Sequence, residues 1–533
     1  MADNGRQPLL GFNRRIDEES NISSDKDRRR KIIFGVFGVS LILLIGFTLG
    51  ATIYARHGSR NPSGKRNVIL MISDGFGPAS ETLARNYHQY TNNLPVGTQL
   101  PLDTILVGSS RTRSSNSLVT DSAAGATAFA CGLKTYNGAI AVDPESKPCG
   151  TVLEAAKEQG YLTGLVVTSR ITHATPACFA AHVGSRASEN DIALQEIGNY
   201  ALGRRVDLMF GGGNCQFRPN SDPKSCRADG LDVFSMAKNA GWSVLDDHQH
   251  FQSLKASDAR LPLMSLLAVD HMPYEIDRDP ENTPSLKEMA VKALDILTHA
   301  SDKDAKGFFL MIEGSRIDMA GHNNDPATHV REILAYNEAI AAVKAYVDEH
   351  PDTVMISVSD HETGGLSVGR QGDPRKYPEY AWKPDALTGV KKSTEVIAPA
   401  IVAKQNDTSF ITETVLKNWM NVTDATTDEI ENLTKTTSVG DLTNALGDIL
   451  SKRAQLGWAT HGHSAVDVNL YAYGLNAARL AGNHENTEIS DFIVRQLGLN
   501  LEAITIKLRS QNIGQASVRH ETGPLKIRHY HTD

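Results

Sequence analysis

The chain is predicted to be an α/β protein: a three-layer sandwich around a central, mostly parallel sheet, with an inserted surface subdomain and one N-terminal transmembrane helix. Three observations lead there. From Asn67 onward, short apolar runs alternate with helical patterns. Most of those runs are rich in β-branched or aromatic residues, as strands buried on both faces are. Ahead of them lies one long uncharged apolar run at residues 32–54.

Residues 1–31 are polar and charged and are expected to form a cytosolic tail without fixed structure. Within it, Gln7-Pro8-Leu9-Leu10 reads equally as a dileucine sorting signal or as two leucines of such a tail. About 20 apolar residues cross a bilayer as a helix, so 32–54 is long enough to span. The apolar core of a secretory signal, about 7–15 residues, is shorter. Lys26, Arg28, Arg29, Arg30 and Lys31 crowd its near side, whereas Arg56, Arg60, Lys65 and Arg66 are spread along the other. The tighter basic cluster stays in the cytosol, which puts the remainder in a lumen or outside the cell. Three sequons, at Asn406, Asn421 and Asn432, agree with that placement. Residues 55–66 read as a linker.

Strands are expected at 68–72, 164–167, 206–210, 308–312 and 354–358, with helices between them such as Thr151 to Gly160, ended by its glycine. Asp74, Glu313 and Asp360 each follow one of these strands. Open α/β sheets bind ligands beyond the carboxyl ends of their strands, so three carboxylates are expected to meet at one edge. The stretch 365–457 breaks the rhythm, is polar, and holds Tyr377, Tyr380, Trp382 and all three sequons; it reads as the inserted subdomain. A polar tail with His520, His529 and His531 follows Ser510. The cysteines are Cys131, Cys149, Cys178, Cys215 and Cys226, with no Cys-x-x-Cys metal spacing. Cys215 and Cys226 flank a polar loop with two prolines and are the expected disulfide in an oxidising compartment. The odd count leaves a thiol over.

The net charge is −8 over 533 residues, and no stretch of the main body gathers Lys and Arg, so nothing points to nucleic acid. The chemistry lies in Asp and His. Asp318 and His322 are four apart, on one face of a helix and suited to a shared metal, with Glu313 ahead of them for a harder, oxygen-preferring cation. Asp360-His361 sits on a turn before Gly364-Gly365, and His461 and His463 compete to complete the set. Taken singly, each window reads as well as a helix-start carboxylate, a turn Asp or a solvated His. Asp121-Ser122 opens an Ala/Gly-rich helix, where backbone N–H groups favour an anion and small residues let a phosphate approach; helix capping explains the same residues locally.

Ile72-Ser73-Asp74-Gly75, Val119 to Thr127, His173-Ala174-Thr175-Pro176, Glu313 to His322, Asp360-His361 and Thr460-His461-Gly462-His463, in this order, closely resemble the alkaline phosphatase family. The resemblance covers roughly Asn67 to Leu499 and implies a catalytic domain over 67–509 with 365–457 as a crown-like insertion. It implies hydrolysis of phosphate monoesters at alkaline pH, with broad specificity, through a phosphoserine on Ser122. It implies two Zn2+ and one Mg2+: Asp318, His322 and His463 on one zinc, Asp74, Asp360 and His361 on the other, and Asp74, Thr175 and Glu313 on magnesium. His463 is preferred to His461 because its distance to Tyr471-Ala472-Tyr473-Gly474 fits the family. Arg186 matches the arginine that grips phosphate with its fork. With the anchor, the resemblance also implies a homodimer in the vacuole membrane, the plasma membrane being the alternative. Two positions depart from parts of the family: His173 stands where some bacterial members carry Asp, and Met319 where others carry Lys or His. In the family such positions tune magnesium affinity and rate rather than deciding the chemistry.

Rival readings are a phosphodiesterase, sulfatase or metal-dependent mutase of the same superfamily, or a membrane-anchored binding protein without activity. Ser122 together with Arg186 favours a monoesterase, and every expected ligand position is filled. No Gly-x-Ser-x-Gly elbow surrounds Ser122, which argues against an unrelated serine hydrolase.

Overall fold

The computed structural model describes residues 64–510 except 246 and 405. The expected tail 1–31, the span 32–54, most of the linker and the tail beyond Ser510 lie outside the described residues. Among the described residues no helix is long and apolar enough to cross a membrane.

Ten strands form one sheet: β1 (Arg66–Ile72), β2 (Leu106–Arg111), β3 (Leu162–Arg170), β4 (Leu208–Gly212), β5 (Ser243–Leu245), β6 (Leu263–Leu266), β7 (Gly307–Glu313), β8 (Thr353–Val358), β11 (Val468–Gly474) and β12 (Gly482–Glu485). A separate two-stranded ribbon is made by β9 (Glu362–Thr363) and β10 (His463–Ser464). The sheet order is β12-β2-β11-β8-β1-β7-β3-β4-β6-β5, and within it only β11 runs against its neighbours. All five expected strands are present and lie side by side as β8-β1-β7-β3-β4. The unforeseen strands flank them on both sides. They are short, or carry Ser109, Ser110, Asn469 and Asn483, so no apolar run announces them.

The central strands are buried on both faces, and their side chains alternate between the two faces as the two-residue period requires. Ile69 and Met71 face helices Leu286–Asp304 and Pro326–Glu349. Val68, Leu70 and Ile72 face helices Ser122–Cys131, Val152–Glu158, Ala174–Ala180 and Thr487–Leu497. That is the expected three-layer sandwich. Helix Val152–Glu158 is opened by a Thr151/Glu154 capping box and followed by Gly160 at φ +89°. There Tyr161 N–H donates to Ala156 O, as a glycine-terminated helix end demands. The stretch 365–457 is largely helical. Leu387, Ile397, Ile401, Leu446 and Leu450 run into the same core as Ile333 and Ile340 of helix Pro326–Glu349. Cys215 and Cys226 are bonded as expected; Cys131 and Cys149 form a second disulfide, and Cys178 is the remaining thiol, buried.

Register decides where the site falls. Ile72 of β1 lies opposite Glu313 of β7 on one side and Val358 of β8 on the other. Asp74 and Asp360, each two residues beyond those positions, therefore share one level just past the edge where Glu313 ends its strand.

Phe309 is fully buried in the sheet, its ring 5.9 Å from Phe179. Phe309→Ala is expected to cost about 3–5 kcal/mol in denaturant unfolding, the usual cost of emptying a packed aromatic site.

Candidate metal centre and nucleophile

The strand ends deliver the carboxylates, and the turns after them do the close work. Gly75 has φ +76°, and a Cβ there would sit 2.5 Å from Asp318 Cα, so only glycine lets the Asp74 turn lie against the Asp318 helix. That helix is Arg316–His322, which places Asp318 and His322 one turn apart. Gly125 of the Ser122 helix packs against Asp360, where a Cβ would be 3.0 Å from Asp360 Cβ. At Gly125 the small residue thus admits a site carboxylate, a use distinct from the phosphate approach expected for this stretch.

Two groups of donors result. Asp318, His322 and His463 converge in one, and Asp74, Asp360 and His361 in the other. In the first, His322 Nε2 and His463 Nε2 are 3.0 Å apart and lie 3.3 and 3.6 Å from Asp318 Oδ1. In the second, His361 Nε2 lies 3.5 Å from Asp74 Oδ1 and 3.3 Å from Asp360 Oδ2. The rings of His361 and His463 stack at 3.5 Å, which sets the groups side by side. His461 faces away from them, its Nδ1–H donating to the His322 carbonyl at 2.8 Å.

The donors are prepared for cations. His322 Nδ1–H donates to His461 O and His463 Nδ1–H to Thr120 O at 2.7 Å, so each proton is held on the far nitrogen and each Nε2 lone pair points inward. The Thr363 hydroxyl donates to Asp318 Oδ1 and accepts from His361 Nδ1–H at 3.2 Å, fixing a residue of each group. Both oxygens of Asp74, and Asp360 Oδ2, are buried and accept no hydrogen bond from the protein. Carboxylate and imidazole of this kind suit zinc. Glu313 is oxygen-surrounded: Ser315 and Ser169 hydroxyls donate to Oε2, and the Thr175 hydroxyl also faces it. That environment suits a harder cation.

Electrostatics tell the same story. Burial, then the charges of Asp360, Asp318 and Glu313, hold the Asp74 carboxyl well above the usual range, against a smaller pull from Arg186. Burial and the neighbouring carboxylates push Asp360 to about 8, and burial pushes Glu313 to about 7. Burial lowers His463; at His322 it acts the same way, but the Asp318 charge outweighs it and the imidazole is raised.

Beside the donors stands Ser122, first residue of its helix, with Oγ 3.2 Å from His361 Nε2. Asp121 caps the helix through Ala124 N–H and also accepts Arg186 Nη1 at 3.2 Å. Arg186 Nη2 donates to His173 Nε2 at 3.1 Å. His173 is accordingly neutral: burial, then Arg186 and Arg170, holds its pKa well below the ordinary value. Met319 lies outside this contact, packed with Tyr274 and Ala320. The structure thus brings together Asp74, Ser122, Thr175, Arg186, Glu313, Asp318, His322, Asp360, His361 and His463. Thr363, Ser315 and the Thr120 carbonyl were not foreseen. Their only signal was position, one or two residues from a residue already singled out.

Comparison with known proteins agrees with the fold. The alkaline phosphatase family model matches residues 65–499. The alkaline phosphatase of Schizosaccharomyces pombe is 48% identical over 488 residues, covering 90% of this chain and 91% of that protein. The repressible alkaline phosphatase of Saccharomyces cerevisiae is 47% identical, covering 90% of each. Among solved structures, the cold-active alkaline phosphatase of a psychrophilic Shewanella superposes with a TM-score of 0.69 at 33% identity, covering 81% of this chain and 99% of that one. This chain belongs to the alkaline phosphatase family.

The raised carboxylates fix a sign for pH. Without metal, the folded state keeps protons on Asp360 and Glu313 that unfolded carboxyls, with pKa of about 4, have lost. Folding then binds protons, so stability is full below pH of about 4 and falls as pH rises through about 7 and 8. Thermal unfolding of chelator-treated protein is expected to show this alkaline loss, and added Zn2+ and Mg2+ to reverse it by binding the folded state.

Proposed function

We propose that this chain hydrolyses phosphate monoesters to an alcohol and inorganic phosphate, with Ser122 as nucleophile. The observation that carries the reading is the placing of Ser122 Oγ, 3.2 Å from His361 Nε2 of one donor group, at the first turn of a helix whose capping Asp121 also holds the Arg186 guanidinium. Substrate phosphate would lie against that helix N-terminus, where backbone N–H groups and the helix dipole favour an anion. Arg186, held in plane by Asp121 and His173, would grip two phosphate oxygens and offset the charge that develops on them. Ser122 Oγ attacks phosphorus, the alkoxide leaves from the opposite side, and water then cleaves the phosphoserine to free the serine. None of these residues reads the leaving group, so specificity is expected to be broad.

We assign Asp318, His322 and His463 to one Zn2+, Asp74, Asp360 and His361 to the other, and Asp74, Thr175 and Glu313 to Mg2+. Bound metal at these positions supplies Lewis-acid chemistry, easing loss of the serine proton and stabilising the departing oxyanion. The ligand imidazoles must be neutral to bind, so activity should fall in acid. The apolar run at 32–54 and its basic flank support a single-pass anchor, with the catalytic part lumenal in the vacuole or outside the plasma membrane. A homodimer is part of the same proposal, supported by the family alone.

The test is hydrolysis of a chromogenic phosphate monoester across pH, beside a phosphodiester and a sulfate ester. Alkaline monoesterase activity is expected, abolished by chelator and restored by Zn2+ with Mg2+. Ser122→Ala should lower kcat by at least about 10³-fold, as loss of a catalytic nucleophile does. Folded, metal-loaded protein that prefers the diester or the sulfate would overturn the reading. Arg186→Lys should raise KM by about tenfold, because an ammonium lacks the planar fork.

A further inference from the structure

Arg186 reaches Asp121, the residue before the nucleophile, from a segment that is neither strand nor helix of the site, so its position must be fixed from elsewhere. Residues 182–186 run beside residues 138–142. Ile140 and Val183 exchange backbone hydrogen bonds of 3.0 and 3.1 Å, and Arg186 N–H donates to Gly138 O at 2.8 Å. Gly138 N–H donates in turn to Asp121 Oδ2, the same oxygen that accepts Arg186 Nη1. The Tyr136 hydroxyl donates to Gly184 O at 3.1 Å. The register of this ribbon therefore sets the reach of Arg186 relative to Ser122.

His182 stands at the other end of the ribbon. Its ring nitrogens face two acceptors, Ala141 O at 2.9 Å and Glu154 Oε1 at 2.8 Å. A neutral imidazole has one N–H, so meeting both acceptors requires the imidazolium. Its counter-charge is equally well held: Glu154 Oε1 also accepts the Tyr200 hydroxyl at 2.7 Å, and Oε2 accepts Thr151 N–H at 3.0 Å. Both charged side chains are fully buried. Burial disfavours both charges, yet each partner outweighs it, so the imidazole is raised and the carboxyl lowered. A buried ion pair is costly to build compared with apolar packing, and one with no contact to the reacting atoms calls for a role.

We propose that His182, held as an imidazolium by Glu154 and Tyr200, is a positioning residue for Arg186. It pins the ribbon in the register that aims the guanidinium at phosphate on Ser122. This rests on the monoesterase reading above. The competing account is purely structural: Glu154 completes the capping box of helix Val152–Glu158, and the pair merely holds that helix to the ribbon. The two accounts differ in what a substitution does to phosphate binding.

The experiment uses the full chain loaded with metal, and inorganic phosphate as a competitive inhibitor of monoester hydrolysis. His182→Gln and Glu154→Gln are each measured alone and combined with Arg186→Ala. The expected result is that KM and the inhibition constant for phosphate rise together by about tenfold with kcat changed less, a coupling typical of residues in one network. On the Arg186→Ala background the same substitutions should add less than about twofold, because the guanidinium they act through is gone. Folded His182→Gln with unchanged phosphate inhibition overturns the proposal, as does an equal effect with and without Arg186. Should His182→Gln and Glu154→Gln fail to fold, Tyr200→Phe decides. It keeps the ion pair but loosens Glu154, and a rise of about two- to threefold that vanishes on the Arg186→Ala background is expected. No rise overturns the proposal. Wild type that hydrolyses monoesters while the variants bind phosphate normally sinks this inference alone; metal-loaded wild type without monoesterase activity sinks the reading beneath it as well.

Discussion

Asp74, Glu313, Asp318 and Asp360 are buried together where β1, β7 and β8 end, and their mutual repulsion is the constraint around which the rest is arranged. Like charges crowded out of water must be neutralised by protons or by cations. The surroundings favour cations. Ring protons are fixed on the outer nitrogens of His322 and His463, hydroxyls donate to Asp318 and Glu313, and several carboxylate oxygens are left without a donor. A site meant to be neutralised by protons would instead pair its carboxyls with one another. The parallel sheet matters because register, from Ile72 to Glu313 and Val358, is what brings the strand-end carboxylates to one edge.

Asp121 shows how one residue serves both the local and the distant demand. As N-cap it starts the Ser122 helix, the bland role that its sequence context suggests. Its other oxygen accepts from Gly138 and from Arg186. The choice between cap and site residue, open in the sequence, was a false one: capping orients the carboxylate so that it can hold the guanidinium.

Much of this was legible in the sequence because the central strands are buried on both faces, and burial on both faces writes continuous apolar runs. The flanking strands are missing from that record. β12 reads Gly-Asn-His-Glu, and its place beside β2 comes from pairing across the fold, which composition does not encode. The same division holds at the site. Carboxylates and imidazoles at suggestive spacings were visible, since few other roles gather them. Thr363 and Ser315 were not, because a hydroxyl beside a ligand looks like any other turn residue until its donor direction is known. The Cys131–Cys149 bond was similarly hidden, as nothing local joins its two ends.

The β9–β10 ribbon has one more consequence. Thr363 lies opposite His463, so the long helical stretch between them begins and ends at nearly the same point. An excursion whose ends are stapled together is thermodynamically tolerant of its own length, because closing a longer loop adds only about 0.6 kcal/mol per doubling. The chemistry is thereby insulated from changes in the surface loops of that stretch, while its apolar residues stay packed in the shared core. Evolution, or an engineer, can lengthen or decorate the surface loops of that stretch and leave the histidine at its base in place, provided the two strands of the staple still pair and its core residues still pack.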